Sequence, residues 1–221
     1  RGVLLNTFSE YELFIIITVV LIAGAIVSEE FNKGTIKLLL VRPYSRAKIL
    51  FAKYVVVLLT VIFIMVAILI MQFIIAGIFF GYDSLSIPAV EYNHNANSIV
   101  ETNVILSTIL TGFAKMPIYI LIGTLAFALS TLFTNTAVAI TISLLGYMAS
   151  SMVNQFAYYY NLEWLKYFVT PNWDFTQFLN GKLPLMEGLN IPFSIIICLI
   201  YFAIMMIPTF IVFKKKNIKN I

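Results

Sequence analysis

Four stretches of the chain, 13–27, 54–80, 117–153 and 192–213, are apolar over lengths that a water-soluble core does not require. A helix rises about 1.5 Å per residue, so about 20 such residues cross a hydrocarbon core of about 30 Å. The third stretch is too long for one crossing and is interrupted by Ser130, Thr131, Thr134, Asn135 and Thr136, so it reads as two helices joined by a tight turn. The predicted spans are therefore five, about 12–28, 54–80, 116–133, 136–153 and 192–213. Charged residues make up 11% of the chain and hydrophobic ones 61%, where soluble domains carry about 25% charged residues. The expected fold is an all-α membrane protein, a polytopic helix bundle forming one transmembrane domain over 1–221.

Charge sorts along the chain in a way that topology explains. Of fourteen Lys and Arg, six lie in 29–53 (Lys33, Lys37, Arg42, Arg46, Lys48, Lys53) and four in the tail (Lys214, Lys215, Lys216, Lys219). With five spans both groups fall on one side, and positively charged loops are retained in the cytoplasm. Glu10, Glu12, Asp83, Glu91, Glu101, Glu163, Asp174 and Glu187 fall on the other side, leaving Glu29 and Glu30 with the basic groups. The expected protein is thus a multi-pass membrane protein with a cytoplasmic C-terminus. Because the chain begins at Arg1 rather than methionine, a further span is expected ahead of it, making six with both termini inside. Small residues in the first span (Ala23, Gly24, Ala25) and third (Gly123, Ala126, Ala128, Ser130) allow close helix packing in lipid.

The segment 29–53, EEFNKGTIKLLLVRPYSRAKILFAK, is the polar and basic exception between the first two spans. Pro43 lacks an N–H and clashes with the preceding turn, so it divides the segment. Before it, a short amphipathic helix over about 29–41 is expected, with Phe31, Leu38 and Leu39 on one face and Lys33 and Lys37 on another. After it, Ser45 is placed to cap the next span helix, with Arg46, Lys48 and Lys53 toward lipid headgroups or a partner. The charges alone match ordinary positive-inside residues that hold a loop against anionic lipid.

The succession Glu30, Gly34-Thr35, Leu38-Leu39, Arg42-Pro43, Ser45-Arg46, Lys48 and Lys53, followed at once by a long span, resembles the cytoplasmic coupling region of ABC-2 type transporter permeases. The resemblance implies a six-span permease subunit of the bacterial cell membrane that pairs with a second permease copy, identical or related, and with two copies of a separate ATPase. The ATPase-coupling residues it implies are Glu30, Phe31, Lys33, Gly34, Thr35, Lys37, Leu38, Leu39, Arg42, Pro43 and Arg46. The chain has no G-x-x-x-x-G-K-[ST] phosphate loop, so ATP and Mg are expected on the partner and no cofactor on this chain.

Residues 154–190 interleave Tyr158, Tyr159, Tyr160, Trp164, Tyr167, Trp173, Phe175 and Phe178 with Asn, Asp and Gln. Such rings suit a membrane interface, where the ring is buried and the polar tip stays wet. In the resembled family two short re-entrant helices close the outer end of the pathway before the last span. The expected outer gate is Trp164, Pro171, Trp173, Asp174 and Phe175, with the turn between the two pieces at 171–174. The lone His94, among Asn93, Asn95 and Asn97, reads as a solvated loop residue, Cys198 as an apolar filler, and Lys115 as a cation that snorkels to the interface.

Several function classes lose support. No basic stripe with interleaved aromatics on a soluble domain serves nucleic acid, and neither a metal-ligand set nor a catalytic set of residues converges at one depth. Glu29-Glu30 is the alternative reading as an intramembrane protease pair, but Gly34 stands where that chemistry wants an arginine. A secondary transporter would show an internal repeat or a broken span pair. The leading expectation is an exporter of amphipathic or apolar cargo, peptides such as antimicrobial or toxin peptides first, with drugs, ions or lipid-linked molecules as the alternative cargo of the same family.

Overall fold

A computed structural model describes residues 2–35, 44–82, 88–94, 97–160 and 162–216. Two short helices, α1 (Gly2–Leu5) and α2 (Thr7–Glu10), lead into α3 (Glu12–Ala25) and α4 (Ser28–Asn32). They are followed by α5 (Arg46–Phe80), a hairpin of β1 (Ala89–Asn93) and β2 (Ser98–Thr102), α6 (Val104–Leu132) and α7 (Thr136–Tyr160). Two 3₁₀ segments, Glu163–Tyr167 and Phe175–Gly181, precede α8 (Ile191–Lys215). Five helical stretches are long and apolar enough to span a membrane: Glu12–Asn32, Arg46–Phe80, Val104–Leu132, Thr136–Tyr160 and Ile191–Lys215. The molecule is a multi-pass helical membrane protein.

Helices span lipid because every backbone polar group is satisfied within the segment, leaving only the ends to be capped. The caps are sequence-encoded. Ser45 Oγ accepts the Lys48 amide at 3.4 Å, as expected of it. Asn103 Oδ1 accepts the amides of Ile105 at 2.9 Å and Leu106 at 3.2 Å. Asn135 and Asn190 do the same for α7 and α8, taking the amides of Ala137 and Phe193, each at 2.9 Å. Asn135 lies in the polar interruption of the third apolar stretch, which is divided into two helices there.

The span boundaries differ from the sequence-based ones in three places. Helix α5 begins at Arg46, directly after the expected Ser45 cap, and so runs eight residues ahead of the apolar span predicted from 54. Helix α6 begins at Val104 rather than 116 and runs through Pro117; a proline removes one N–H, and neighbouring packing in a bundle tolerates that loss. Helix α7 continues past 153 to Tyr160. The segment 81–103, read as a polar loop, holds an antiparallel hairpin in which Ala89 pairs with Thr102 and Asn93 with Ser98.

Helix α6 is the hub: α3, α5, α7 and α8 all pack on it. Its buried face includes Tyr119, Ile122, Ala126, Phe127 and Ser130, meeting Ile15, Ile16, Val19, Val20 and Ala23 of α3 and Tyr54, Val57 and Val61 of α5 in one core. The small residues permit this spacing: a methyl added at Gly123 would lie 3.0 Å from Val19 Cγ1, and one at Gly24 would lie 2.7 Å from Ile140 Cγ1. The outward faces of α5, α7 and α8, including Phe63, Met148 and Leu199, are apolar and exposed, as lipid contact requires.

Ser130 is fully buried and its Oγ accepts two amides, Val27 at 3.1 Å and Ser28 at 2.9 Å, where the chain turns from α3 into α4. Ser130→Ala leaves both buried donors without a partner, so it is expected to lower stability by about 1–3 kcal/mol, measured as a shift of the unfolding midpoint in detergent or bicelles.

Candidate functional site

The bundle has a basic end and an acidic end, and a polar arrangement organises each. At the basic end three cations bind helix C-termini, whose last carbonyls lack intrahelical partners and carry the negative pole of the helix dipole. Lys53 Nζ donates to the Ile26 carbonyl at the end of α3 (2.6 Å). Lys216 Nζ donates to the carbonyls of Thr131 (2.9 Å) and Leu132 (3.3 Å) at the end of α6 and lies 4.2 Å from the Phe31 ring centre. Burial lowers the Lys216 pKa below the ordinary lysine value. Arg46 donates to the carbonyls of Lys214 (3.1 Å) and Lys216 (3.0 Å) at the end of α8.

Helix α4 is fastened into this end from several sides. Its first amide is held by Ser130, the Ser28 hydroxyl reaches Thr136 Oγ1 at 2.9 Å, and Asn32 Nδ2 reaches the same oxygen at 3.1 Å. Glu30 pairs with Lys53 of α5 at 2.6 Å, and Phe31 is buried in the main core. Lys33 pairs with Glu29 at 2.7 Å on an exposed surface, a pair of the kind that contributes little stability. Gly34 is left-handed (φ 68), a conformation that ends helices and that residues with a side chain rarely adopt, and the Thr35 hydroxyl returns to the Glu30 carbonyl at 3.5 Å. The short helix expected over 29–41 is therefore described only to Asn32 before this break. Lys37, Leu38, Leu39, Arg42 and Pro43 lie outside the described residues.

Beside α4, a cavity of about 370 Å³ is bordered by Ile26, Glu29, Glu30, Lys33, Thr35 and Lys53. Glu30 presents one buried carboxylate oxygen, Oε2, with no hydrogen-bond partner among the described residues. Of the residues expected toward headgroups or a partner, Arg46 and Lys53 instead bind helix ends, and Lys53 also borders this cavity together with Glu29, Glu30 and Lys33.

At the acidic end, Lys115 does not snorkel outward. Its side chain is 7% exposed, and Nζ lies 2.6 Å from Glu12 Oε2 and 2.7 Å from Asp174 Oδ2. The carboxylates come to the lysine from the start of α3 and from the segment before α8. Glu12 Oε1 accepts the Tyr147 hydroxyl of α7 at 2.9 Å, and Asp174 Oδ1 accepts the Thr176 amide (3.0 Å) and hydroxyl (2.6 Å).

The expected outer-gate residues separate by role. Two short helical pieces do precede the last span, and residues 170–173 form the turn between them. Trp173 is buried in the main core, whereas Trp164 is exposed with its ring edge against Phe168. Phe175 meets Phe178 edge to face, and the Pro171 carbonyl accepts Gln177 Nε2 at 2.8 Å. Asn172, which sequence reading passed over as a turn residue, is fully buried: its Nδ2 donates to the carbonyls of Lys166 and Phe168, each at 2.7 Å, and its Oδ1 accepts the Ser194 hydroxyl at 2.8 Å. Cys198 is half-buried, with Sγ 3.5 Å from the Asn172 carbonyl. His94 is exposed, its amide bonded to the Gly181 carbonyl at 3.0 Å. Among the described residues no group of three or more His, Cys, Asp and Glu is placed to hold a metal ion.

With this geometry in view, the chain matches over residues 3–219 a family described as "Protein of unknown function (DUF2705)". The chain belongs to the DUF2705 family. It is similar to two proteins of Bacillus subtilis (strain 168). It is 32% identical over 201 residues to the uncharacterized protein YhcI, covering 91% of this chain and 64% of that one. It is 28% identical over 200 residues to the uncharacterized membrane protein YdbK, covering 90% of this chain and 76% of that one. The DUF2705 chain thus spans just under two thirds of the length of YhcI. No solved structure matches it.

Three of the four polar anchors just described, Glu12, Ser130 and Asn172, were not singled out from sequence as functional; the fourth, Lys115, was noted only as an interfacial cation. Their shared signal is a polar side chain within or bordering an apolar run, where an unpaired group is expensive. Removing the Lys115 ammonium leaves two carboxylates facing each other in a buried site, so Lys115→Met is expected to cost about 3–5 kcal/mol. The loss is read from the unfolding midpoint; a shift of less than about 1 kcal/mol would mean that the ion pairs are not formed in the membrane.

Proposed function

We propose that this DUF2705 protein is the transmembrane permease subunit of an ATP-binding cassette exporter. It works with a second permease copy, and a separate ATPase carries ATP and Mg. The basic end and the C-terminus face the cytoplasm of a bacterial cell, as the positive-inside rule favours. The cargo is amphipathic or apolar, with peptides such as antimicrobial or toxin peptides first, since the span faces offer apolar surface.

One observation carries the reading. The segment that resembles a permease coupling region begins as a short helix tied to three span helices at once: α6 through Ser130, α7 through Thr136 and α5 through the Glu30–Lys53 pair. Force applied to that helix is shared among the spans rather than absorbed by a slack loop. The socket bordered by Glu29, Glu30 and Lys33, with one Glu30 oxygen unengaged, offers a partner both charge signs and a hydrogen-bond acceptor. Because the spans follow one another in alternating directions, the Trp164 side of the bundle then faces outward.

Two measurements test this. Full-length protein purified from its host in mild detergent should retain an ATPase. Reversing Lys33 and Lys37 to Glu should reduce the retained ATPase at least about tenfold, as loss of interfacial charge complementarity does, without moving the unfolding midpoint. In a Cys198→Ser background, a membrane-impermeant maleimide applied to intact cells should label Trp164→Cys and spare Tyr44→Cys. Purification without any ATPase, or reversed labelling, refutes the proposal.

A further inference from the structure

The two carboxylates on Lys115 are not equivalent. Glu12 is 18% exposed and its second oxygen is held by Tyr147, so it is built into the spans on both sides. Asp174 is 32% exposed, and among the described residues its second oxygen is held by Thr176 alone, two residues along the same segment. If that segment lifts away, Asp174 takes its remaining hydrogen bonds with it and enters water. Lys115 stays neutralised by Glu12. The closed arrangement holds two carboxylates against one ammonium, a net charge of −1 in a poorly hydrated site, and departure of Asp174 leaves a balanced pair. A buried pair is costly to break when it strands a charge, and this one does not.

Trp173, the neighbour of Asp174, is buried in the main core, so the segment lifts only if that ring leaves together with the Asp174 carboxylate. Asn172 ties the segment to Ser194 on α8, while the Asp174–Lys115 pair joins it by charge to α6. The hairpin touches it through the His94 amide on the Gly181 carbonyl. Displacement of α8 and its attached segment against α3 and α6 therefore loads the Asp174 contact while the Asn172 contact travels along.

We propose that Asp174 is the release point of an ionic bolt, shared through Lys115 with Glu12, that fastens 163–181 over the acidic end of the bundle. This deepens the exporter reading by naming what holds the outer gate shut. It rests on that reading only for the word gate, because the opening itself is measured without transport.

The experiment is hydrogen–deuterium exchange by mass spectrometry on the full chain in lipid nanodiscs, comparing wild type, Asp174→Asn, Asp174→Glu and Glu12→Gln. Asp174→Asn should raise exchange in peptides within 163–181 at least about tenfold, as loss of a charge-assisted hydrogen bond implies, with 12–25 and 104–132 unchanged. Asp174→Glu should restore slow exchange. Glu12→Gln should instead loosen 12–25 as well. The bolt is overturned if Asp174→Asn leaves 163–181 unchanged, if it loosens all spans alike, or if the two carboxylate variants give the same pattern. A protein that binds no ATPase yet shows the predicted exchange would lose the exporter reading and keep the bolt.

Discussion

Lys115 sits in the helix that every other span packs against, where its ammonium is buried and has little water to return to. A lysine in such a place must be met by an anion or lose its charge. Glu12 and Asp174 meet it, and in doing so they fix the start of α3 and the segment before α8 relative to α6. Tyr147 then adds α7 through Glu12, and Asn172 adds α8 through Ser194. The acidic end is thus assembled around one charge, and it is a small polar core within an otherwise apolar bundle.

The basic end solves a different problem. Helices that stop at a membrane surface leave carbonyls exposed at their C-termini, and three of them stop here. Lys53, Lys216 and Arg46 each reach across to the C-terminus of another helix, so the charges that set orientation also lock the helices to one another. Helix α4 lies among these contacts. The bundle is thus pinned at both ends, by shared charge at one and by cation-to-carbonyl contacts at the other.

Much of this was legible in the sequence. Run length located the five spans, and the polar break at Thr134-Asn135-Thr136 split the third stretch correctly, because hydrophobic length and helix caps are local properties. The Ser45 cap was legible for the same reason. The start of α6 was not: the apolar run begins at Pro117, whereas the helix continues back to its Asn103 cap, with α1 and α2 packed beside it and the Thr108 hydroxyl 3.2 Å from the Leu4 carbonyl. The succession from Glu30 to Lys53 is legible as a pattern, yet the pattern does not reveal that Arg46 and Lys53 are bound to helix ends. Lys115 was read as a snorkelling cation because its partners lie 103 and 59 residues away. Pairings of that range are properties of the assembled bundle.

The account turns on one ammonium serving two carboxylates, and a double-mutant cycle on Glu12→Gln and Asp174→Asn in reversible unfolding measures that sharing. Each single variant leaves Lys115 one partner, whereas the double variant leaves it none. The double loss should exceed the sum of the single losses by about 1–3 kcal/mol. Additivity within about 0.5 kcal/mol would show that the two carboxylates act independently, and Lys115 would not be the centre of the acidic end.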